Sequence, residues 1–491
     1  MESHLNPAIH PHRRVSRQPL TGAAACLGSV LVAAAARADP QPSSAPPSGP
    51  QSQPQARPAA GTEGAGQQEA PTPEKQEDDK RWFEIQVQAT DVFQYKPAMR
   101  SPYEGPNSLP GRETTNNTFD ASVILGVRPW KGAQAWFDED MNQGFAPGDT
   151  LGVAGFVNGE GAKVGHHSPY YRPQRYFFRQ TIDLGGGDDR VDPDMLEFGG
   201  PTTKNRIVIT VGKFSLTDVM DDNQFAHDPR NDFLNWAIID TGSWDYAADA
   251  WGFSEGGVIE WYAGDWTFRG GVMKLSTIPN AAELSPHFSE FQWDGEIEYR
   301  QKWFGKDGKI KLLGFVSRGQ MGRFDDAIAL ADATGAIPST ALVRHYRSRP
   351  GISLNVEQPV TDTVGLFLRA GWDDGRYEPY EYADIDRTVA AGISVKGDHW
   401  GRKDDTVGFA LVVNGISKEH QLYLADGGLG ILIGDGQLPH PGAETIFEAY
   451  YSLAVISGVH LTIDSQTVAN PAYNRDRGPA EVLGLRLHAQ Y

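Results

Sequence analysis

The segment GISLNVEQPVTDTVGLFLRAGW, residues 351–372, contains two alternating runs joined by a short polar turn. In the first run, apolar Ile352, Leu354 and Val356 alternate with polar residues. The apolar positions of the second run are Val364, Leu366, Leu368, Ala370 and Trp372. A period of two places alternate side chains on opposite faces of an extended strand. The segment therefore predicts an antiparallel hairpin with one apolar face and one polar face.

The same alternation recurs along the chain from about residue 81 to Tyr491. It is present in FEIQVQAT (83–90), TFDASVILGV (118–127) and VLGLRLHAQY (482–491). The apolar face of the last segment ends in an aromatic residue, which is typical of the final strand of outer-membrane barrels. We interpret the whole region as a series of strands with two different faces.

Two architectures share this pattern, a soluble antiparallel sheet and a transmembrane barrel. After the N-terminal apolar run, no stretch of about 18 apolar residues follows, so a membrane form must be a closed barrel. Residues 81–491 would give about 16 strands roughly 26 residues each, including the connections. Trp261 and Trp266 flank a tight turn, as in the aromatic belt at a barrel rim. The predicted fold is an all-β transmembrane antiparallel barrel with long extracellular loops and short periplasmic turns.

The N-terminal part of the chain differs in composition from the strand region. Basic residues precede an apolar run rich in Ala and Gly, and residues 36–38, Ala-Arg-Ala, match a secretory cleavage site. We therefore expect a signal peptide over residues 1–38. Residues 39–80 are dominated by Pro, Gln, Ala, Ser and Gly, which predicts a disordered tail. Residues 81–491 are then the barrel domain.

Charge and cysteine content restrict the function further. The net charge of −19 argues against a nucleic-acid partner, because binding phosphates requires a basic stripe. The single cysteine, Cys26, lies in the expected signal peptide, so the mature chain would have no disulfide. The Ser, His and carboxylate residues show no nucleophile elbow and no identifiable catalytic pair. We expect neither enzymatic activity nor a cofactor.

Two motifs resemble ligand sites in composition but lack the required spacing. The acidic cluster TDVMDDN (217–223) suits a hard cation, yet it lacks the pattern of a calcium loop and is interpreted as an acidic turn. The glycines of GGLGILIGDG (427–436) miss the spacing of a nucleotide-binding turn. His227, His420 and His440 are scattered without metal-ligand spacing. No metal site is predicted.

Three stretches resemble a known family in its sequence order. They are NRIVITVGKFSLTDVMDDNQFAHDPRNDFLNWA (205–237), QPVTDTVGLFLRAGWDDGRYEPYEY (358–382) and NPAYNRDRGPAEVLGLRLHAQY (470–491). They are similar to the carbohydrate-selective porins, the OprB-like family of Gram-negative outer membranes. The resemblance implies a barrel of about 16 strands through which sugars such as glucose diffuse into the periplasm. The partners it implies are carbohydrate solutes, outer-membrane lipid and the barrel-insertion machinery, and association into homo-oligomers stays open.

A passive sugar channel needs a polar lumen that charged and aromatic side chains narrow. In RYFFRQTIDL (175–184) and AQAWFDED (133–140), such side chains share the presumed lumen face, and others fall on polar faces of later strands. The candidate constriction residues are Arg175, Arg179, Trp136, Asp138, Asp140, Arg369 and Glu448. We expect the two arginines of the first segment to contribute most. The alternative is that all seven are ordinary hydrated lumen residues, and a shift of one residue in register would exchange the two faces.

Other functions remain open on the sequence. They are a secreted soluble β-protein that binds or hydrolyses carbohydrate, and an outer-membrane barrel for export or adhesion. A soluble protein would pack its apolar strand faces into a core, whereas a barrel would turn them outward. If the excess negative charge lines the lumen, cations would be favoured over neutral sugars.

Overall fold

Sixteen antiparallel strands close into a barrel in the computed structural model, which describes residues 80–161 and 165–491. The strands are β1 (Phe83–Lys96), β2 (Thr114–Val127), β3 (Ala133–Phe145), β4 (His166–Val191), β5 (Gly200–Phe214), β6 (Ser254–Ala263), β7 (Trp266–Lys274), β8 (Phe291–Trp303), β9 (Lys306–Met321), β10 (His345–Pro359), β11 (Val364–Asp373), β12 (Arg387–Lys396), β13 (Thr406–Gly415), β14 (Glu444–Ile456), β15 (Val459–Ala469) and β16 (Ala480–Gln490). The helices are α1 (Trp236–Ile239), α2 (Phe324–Thr334) and α3 (Lys418–Ala425). Of the helices in these residues, none has the length and apolar character to cross a membrane.

The expected signal peptide lies outside the described residues, as does the expected tail except for its last residue. Both remain predictions from composition.

The barrel closes where β1 pairs with β16. Gln88 faces Gln490 in this register, and Val87 and Tyr491 exchange backbone hydrogen bonds of 2.9 and 2.8 Å. Each described strand is thus bonded on both sides. A closed ladder satisfies the backbone groups that lipid could not, so closure suits a membrane environment. The prediction of an all-β barrel of about 16 strands is confirmed for the described part of the chain.

The apolar faces of the strands point outward. On β13, Phe409, Leu411 and Val413 are 44%, 48% and 40% exposed, whereas Ala410 and Val412 between them are buried inside. A soluble sheet would cover such a continuous apolar surface. The soluble alternative is therefore inconsistent with this structure, since the outer face matches a lipid-facing wall.

The hairpin predicted at residues 351–372 forms β10 and β11. Val356 pairs with Leu368, and both lie on the outer face, while Arg369 points inward opposite Asn355. The register fixes which side chains face the lumen, because a shift of one residue would reverse them. The two faces assigned from the alternation are confirmed here.

The connections alternate in length around the barrel. One end has tight turns such as that between β6 and β7, where Trp261 and Trp266 are exposed on the outer surface. The ring of Trp266 lies 4.6 Å from that of Tyr299 on β8. The other end carries the long loops. In outer-membrane barrels the short turns face the periplasm, and aromatic side chains mark the rim.

Loop L3, residues 215–253, joins β5 to β6 and folds into the barrel. It contains α1, whose four residues are all buried. The helix begins after Asn235, whose side chain accepts a hydrogen bond from the backbone N–H of Ala237. L3 thus fills part of the interior that the strands enclose.

The buried backbone of L3 needs hydrogen-bond partners, and charged residues of the wall supply them. Arg369 donates to the carbonyl oxygens of Ala226 and Ile238 at 2.7 and 2.8 Å. Glu448 accepts from the backbone N–H groups of Leu234 and Asn235 at 2.5 and 3.0 Å. These contacts fix the path of L3 along the inner wall.

Candidate functional site

Arg175 of β4 joins the barrel wall to L3. Its Nε and Nη2 donate to the two carboxylate oxygens of Asp218 at 2.8 Å each, and its Nη1 donates to Asp138 Oδ2 at 2.9 Å. The guanidinium also lies 4.6 Å from the ring centroid of Phe253. Paired, bidentate contacts of this kind hold an arginine in one orientation. Arg175 is therefore a fixed cationic group between the wall at β4 and L3.

The acidic cluster at 217–223 pairs with cations of the wall. Burial alone would raise the pKa of Asp218, but Arg175 lowers it below its ordinary value. Asp222 lies 3.4 Å from Lys309 Nζ, and Asp221 lies 3.1 Å from Arg369 Nε. Across residues 80–161 and 165–491, no group of His, Cys, Asp and Glu is arranged to hold a metal ion. The cluster attaches L3 to the barrel.

Arg179 lies on the same inner face of β4, nearer the short turns. It donates to the carboxylate of Glu197 and, at 3.1 Å, to the carbonyl oxygen of Leu196. Its guanidinium lies 5.1 Å from the ring centroid of Phe177. Arg179 thus contacts the connection between β4 and β5, whereas Arg175 contacts L3.

Arg230 of L3 is a third lumen cation. It contacts Asp120 Oδ2 at 3.1 Å and Glu160 Oε1 at 2.9 Å. The sequence reasoning missed Arg230 because it lies in an irregular loop, where no period indicates a face. The one signal that could have found it is its place in the family-like stretch 205–237.

The seven candidate residues occupy two kinds of position. Arg175, Arg179 and Asp140 line the central cavity. The others are Trp136, Asp138, Arg369 and Glu448, all of them buried. Trp136 faces inward as expected, but its ring packs 4.8 Å from that of Phe198. Asp138 supports Arg175, and the remaining two hold L3, so the structure brings all seven to the inside but only three to the cavity.

The central cavity has a volume of about 720 Å³. This lies within the range of roughly 300–1,000 Å³ that is usual for sites that take small molecules. Among the described residues, its charged lining consists of Asp140, Glu160, Asp192, Asp194, Glu197, Asp218, Asp222, Asp228, Asp240, Arg175, Arg179 and Arg230. Carboxylates outnumber guanidinium groups, so the lining has mixed charge with an acidic excess.

Aromatic rings also line the cavity. Phe156 stacks on Trp236 at 5.2 Å, and Tyr382 contacts both Trp236, at 5.4 Å, and Tyr246, at 5.1 Å. Further toward the long loops, the guanidinium of Arg172 lies over the ring of Trp251, 3.7 Å from the ring centroid. Aromatic faces next to fixed hydrogen-bonding groups suit a ligand that has both apolar C–H surfaces and hydroxyls.

The acidic excess predicts a pH-dependent ion preference. Burial raises the pKa of Asp240 in L3 to about 7, although His227 nearby lowers it. Asp240 is then neutral below that pH and charged above it. The ratio of K⁺ to Cl⁻ permeability should fall as the pH is lowered from about 8 to about 6. The reversal potential across a bilayer in a KCl gradient measures this ratio.

The variant Asp240→Asn should show a smaller change over the same pH interval. Asp307→Asn is the matched control, because Asp307 lies at the start of β9, beside the β8–β9 turn, with an 82% exposed side chain. An equal pH dependence in Asp240→Asn and the unaltered protein would exclude Asp240 as the responsible group.

A family model and one solved structure agree with this architecture. A family model described as "Carbohydrate-selective porin, OprB family" matches residues 117–491. A structure of Pseudomonas putida OprB at high pH is similar, with 14% identity and a TM-score of 0.63 over 85% of this chain and 96% of that one. The outer-membrane channel DcaP of Acinetobacter baumannii has 9% identity and a TM-score of 0.48 over 83% and 97% of the two chains. None of the curated proteins compared with this sequence matches it.

Proposed function

The chain belongs to the OprB family of carbohydrate-selective porins, and from this membership we propose how its lumen passes sugars. It is a sugar porin of the outer membrane. Sugars pass through the central cavity beside L3, where Arg175, Arg179 and Arg230 offer N–H groups to the hydroxyls. One observation carries this proposal, namely that fixed guanidinium groups and aromatic rings line the same cavity.

The geometry suits brief binding. Each of these arginines is already held in place by carboxylates. Sugar binding therefore requires little further loss of side-chain conformational entropy. The half-buried rings of Trp251 and Phe253 offer apolar surface to the C–H side of a pyranose. Conduction requires that a solute bind favourably enough to enter and weakly enough to leave. We propose passive diffusion with no chemical step, and a supporting role for Asp138, Trp136, Arg369 and Glu448.

We also propose the processing and partners that the sequence implies. Residues 1–38 would be removed as a signal peptide during export, and residues 39–80 would form a tail. Outer-membrane lipid and the barrel-insertion machinery are the expected partners, and the copy number of the assembled channel is open.

Single-channel recording in a planar bilayer tests the proposed function. Refolded protein should form stable open channels, and glucose should reduce their KCl conductance in a saturable manner. A small solute that lacks a hydroxylated ring, such as urea, is the control and should leave the conductance nearly unchanged. Open channels with equal sensitivity to both solutes would contradict sugar preference, and the absence of channels would contradict the porin function itself.

A further inference from the structure

The hairpin of β4 and β5 has a sharp bend at the short-turn end. Gly185, Gly186 and Gly187 have φ values of 88°, 84° and 105°, and the β4–β5 register shifts twice beside them. Residues with side chains rarely adopt this left-handed conformation, and a Cβ added to Gly186 would come within 2.2 Å of Asn205. Three glycines in succession thus let β4 and β5 bend sharply just before the connection between them.

The bend carries the re-entrant tip, residues 192–199, back into the barrel. Gln86 of β1 donates to the carbonyl oxygen of Asp194 at 3.0 Å and accepts from the N–H of Leu196 at 3.0 Å. Gln86 is an inward-facing, buried side chain. Both of its polar atoms are therefore used to hold the tip against the wall.

Two further strands provide contacts for the tip. Gln134 of β3 donates to the Glu197 carboxylate and accepts from the N–H of Phe198 at 3.2 Å. Arg179 of β4 donates to the same carboxylate. Phe198 is buried against Trp136. Contacts with β1, β3 and β4 therefore hold the tip in one position against the inner wall.

The tip lines the same cavity as L3 but at its other end. The lining residues contributed by this region are Val191, Asp192, Asp194, Met195, Leu196 and Glu197. Arg175 and these residues therefore line one cavity. Their carboxylates add negative charge where the lumen meets the short turns, which face the periplasm in outer-membrane barrels.

We propose that the re-entrant tip is a second constriction, which limits conductance and selects neutral sugars over anionic ones such as sugar acids. This inference rests on the proposed function, because it requires an open sugar channel. L3 narrows the lumen from the long-loop side, and the tip narrows it from the periplasmic side. A carboxylate-bearing sugar would meet like charges at the second constriction.

A shortened hairpin tests the size effect. Asp183 and Arg206 are paired across the two strands, so residues 184–205 can be replaced by Asn-Gly, a two-residue turn. The shortened protein should form channels with about twofold higher KCl conductance, since a constriction in series has been removed. Its folding is checked by the heat-dependent shift of the barrel on gels. A folded variant with unaltered conductance would overturn the proposal.

A charge variant tests selectivity without shortening the chain. Asp192→Asn combined with Asp194→Asn should raise gluconate entry relative to glucose entry severalfold in a liposome-swelling assay. Asp307→Asn, at an exposed position of β9 beside the short turn at the same end, should leave the ratio unchanged. An unaltered ratio in the double variant would overturn the proposal even if the shortened protein failed to fold. If the unaltered protein admitted no glucose, the proposed function itself would fail first, so the two failures are distinguishable.

Discussion

Replacing Arg175 with alanine should weaken glucose block of the channel about 10- to 100-fold, because hydrogen bonds to charged groups contribute about 1.5–3 kcal/mol. The substitution also removes the cation that pairs with both Asp138 and Asp218. The lumen then gains uncompensated negative charge, so K⁺ permeability should rise relative to Cl⁻. Glucose titration of single-channel conductance and the reversal potential in a KCl gradient measure the two effects.

Two variants serve as controls for Arg175→Ala. Arg175→Lys keeps the charge but cannot donate in a bidentate manner to Asp218, so it should give an intermediate block. Arg318→Ala alters an exposed arginine on β9 and should behave like the unaltered protein. If the folded Arg175→Ala protein were blocked by glucose as strongly as the unaltered channel, Arg175 would have no part in sugar recognition.

The second large effect is expected for Arg369→Ala. Arg369 is fully buried and donates to the Asp221 carboxylate and to three backbone carbonyl oxygens of L3. Removing one partner of a buried ion pair destabilises a protein by about 3–5 kcal/mol. L3 should detach in part from the wall, which would give a larger and fluctuating conductance together with unfolding at lower temperature.

The two readouts separate a loosened loop from a misfolded barrel. Electrophoresis of unheated samples reports whether the barrel has formed, and current recordings report the position of L3. Arg318→Ala is again the matched control. A quiet conductance of the original size in folded Arg369→Ala would mean that Glu448 and the other wall contacts suffice to hold L3.

The strands and their faces could be predicted because they follow from a local rule. A period of two is visible in any short segment, and closure requires each strand to turn the same face to the lipid. Arg175 and Asp140 were recognised as lumen residues for this reason. The barrel could be predicted from this local pattern because every strand repeats it.

The path of the inward segments could not be predicted in the same way. Arg369 and Glu448 do face inward, but L3 covers them, and that contact joins residues far apart in the chain. Trp136 has the expected orientation, yet Phe198 from the re-entrant tip covers its ring. Such contacts depend on tertiary packing, about which the periodicity of a single strand gives no information. The alternation gives no sign of the bend at glycines 185–187, which only their backbone angles identify.

The pairing of β1 with β16 has a consequence for how the barrel forms. The hydrogen bond between Thr90 and His488 spans 398 positions of the sequence. Contacts of such long range are slow to form, because loop-closure entropy is lost before the contact stabilises the chain. Until that seam closes, β1 and β16 each present an unpaired edge that could join another chain. Folding of this barrel should therefore be slow and end in one cooperative closing step, and the period before it is when the chain is most prone to aggregate.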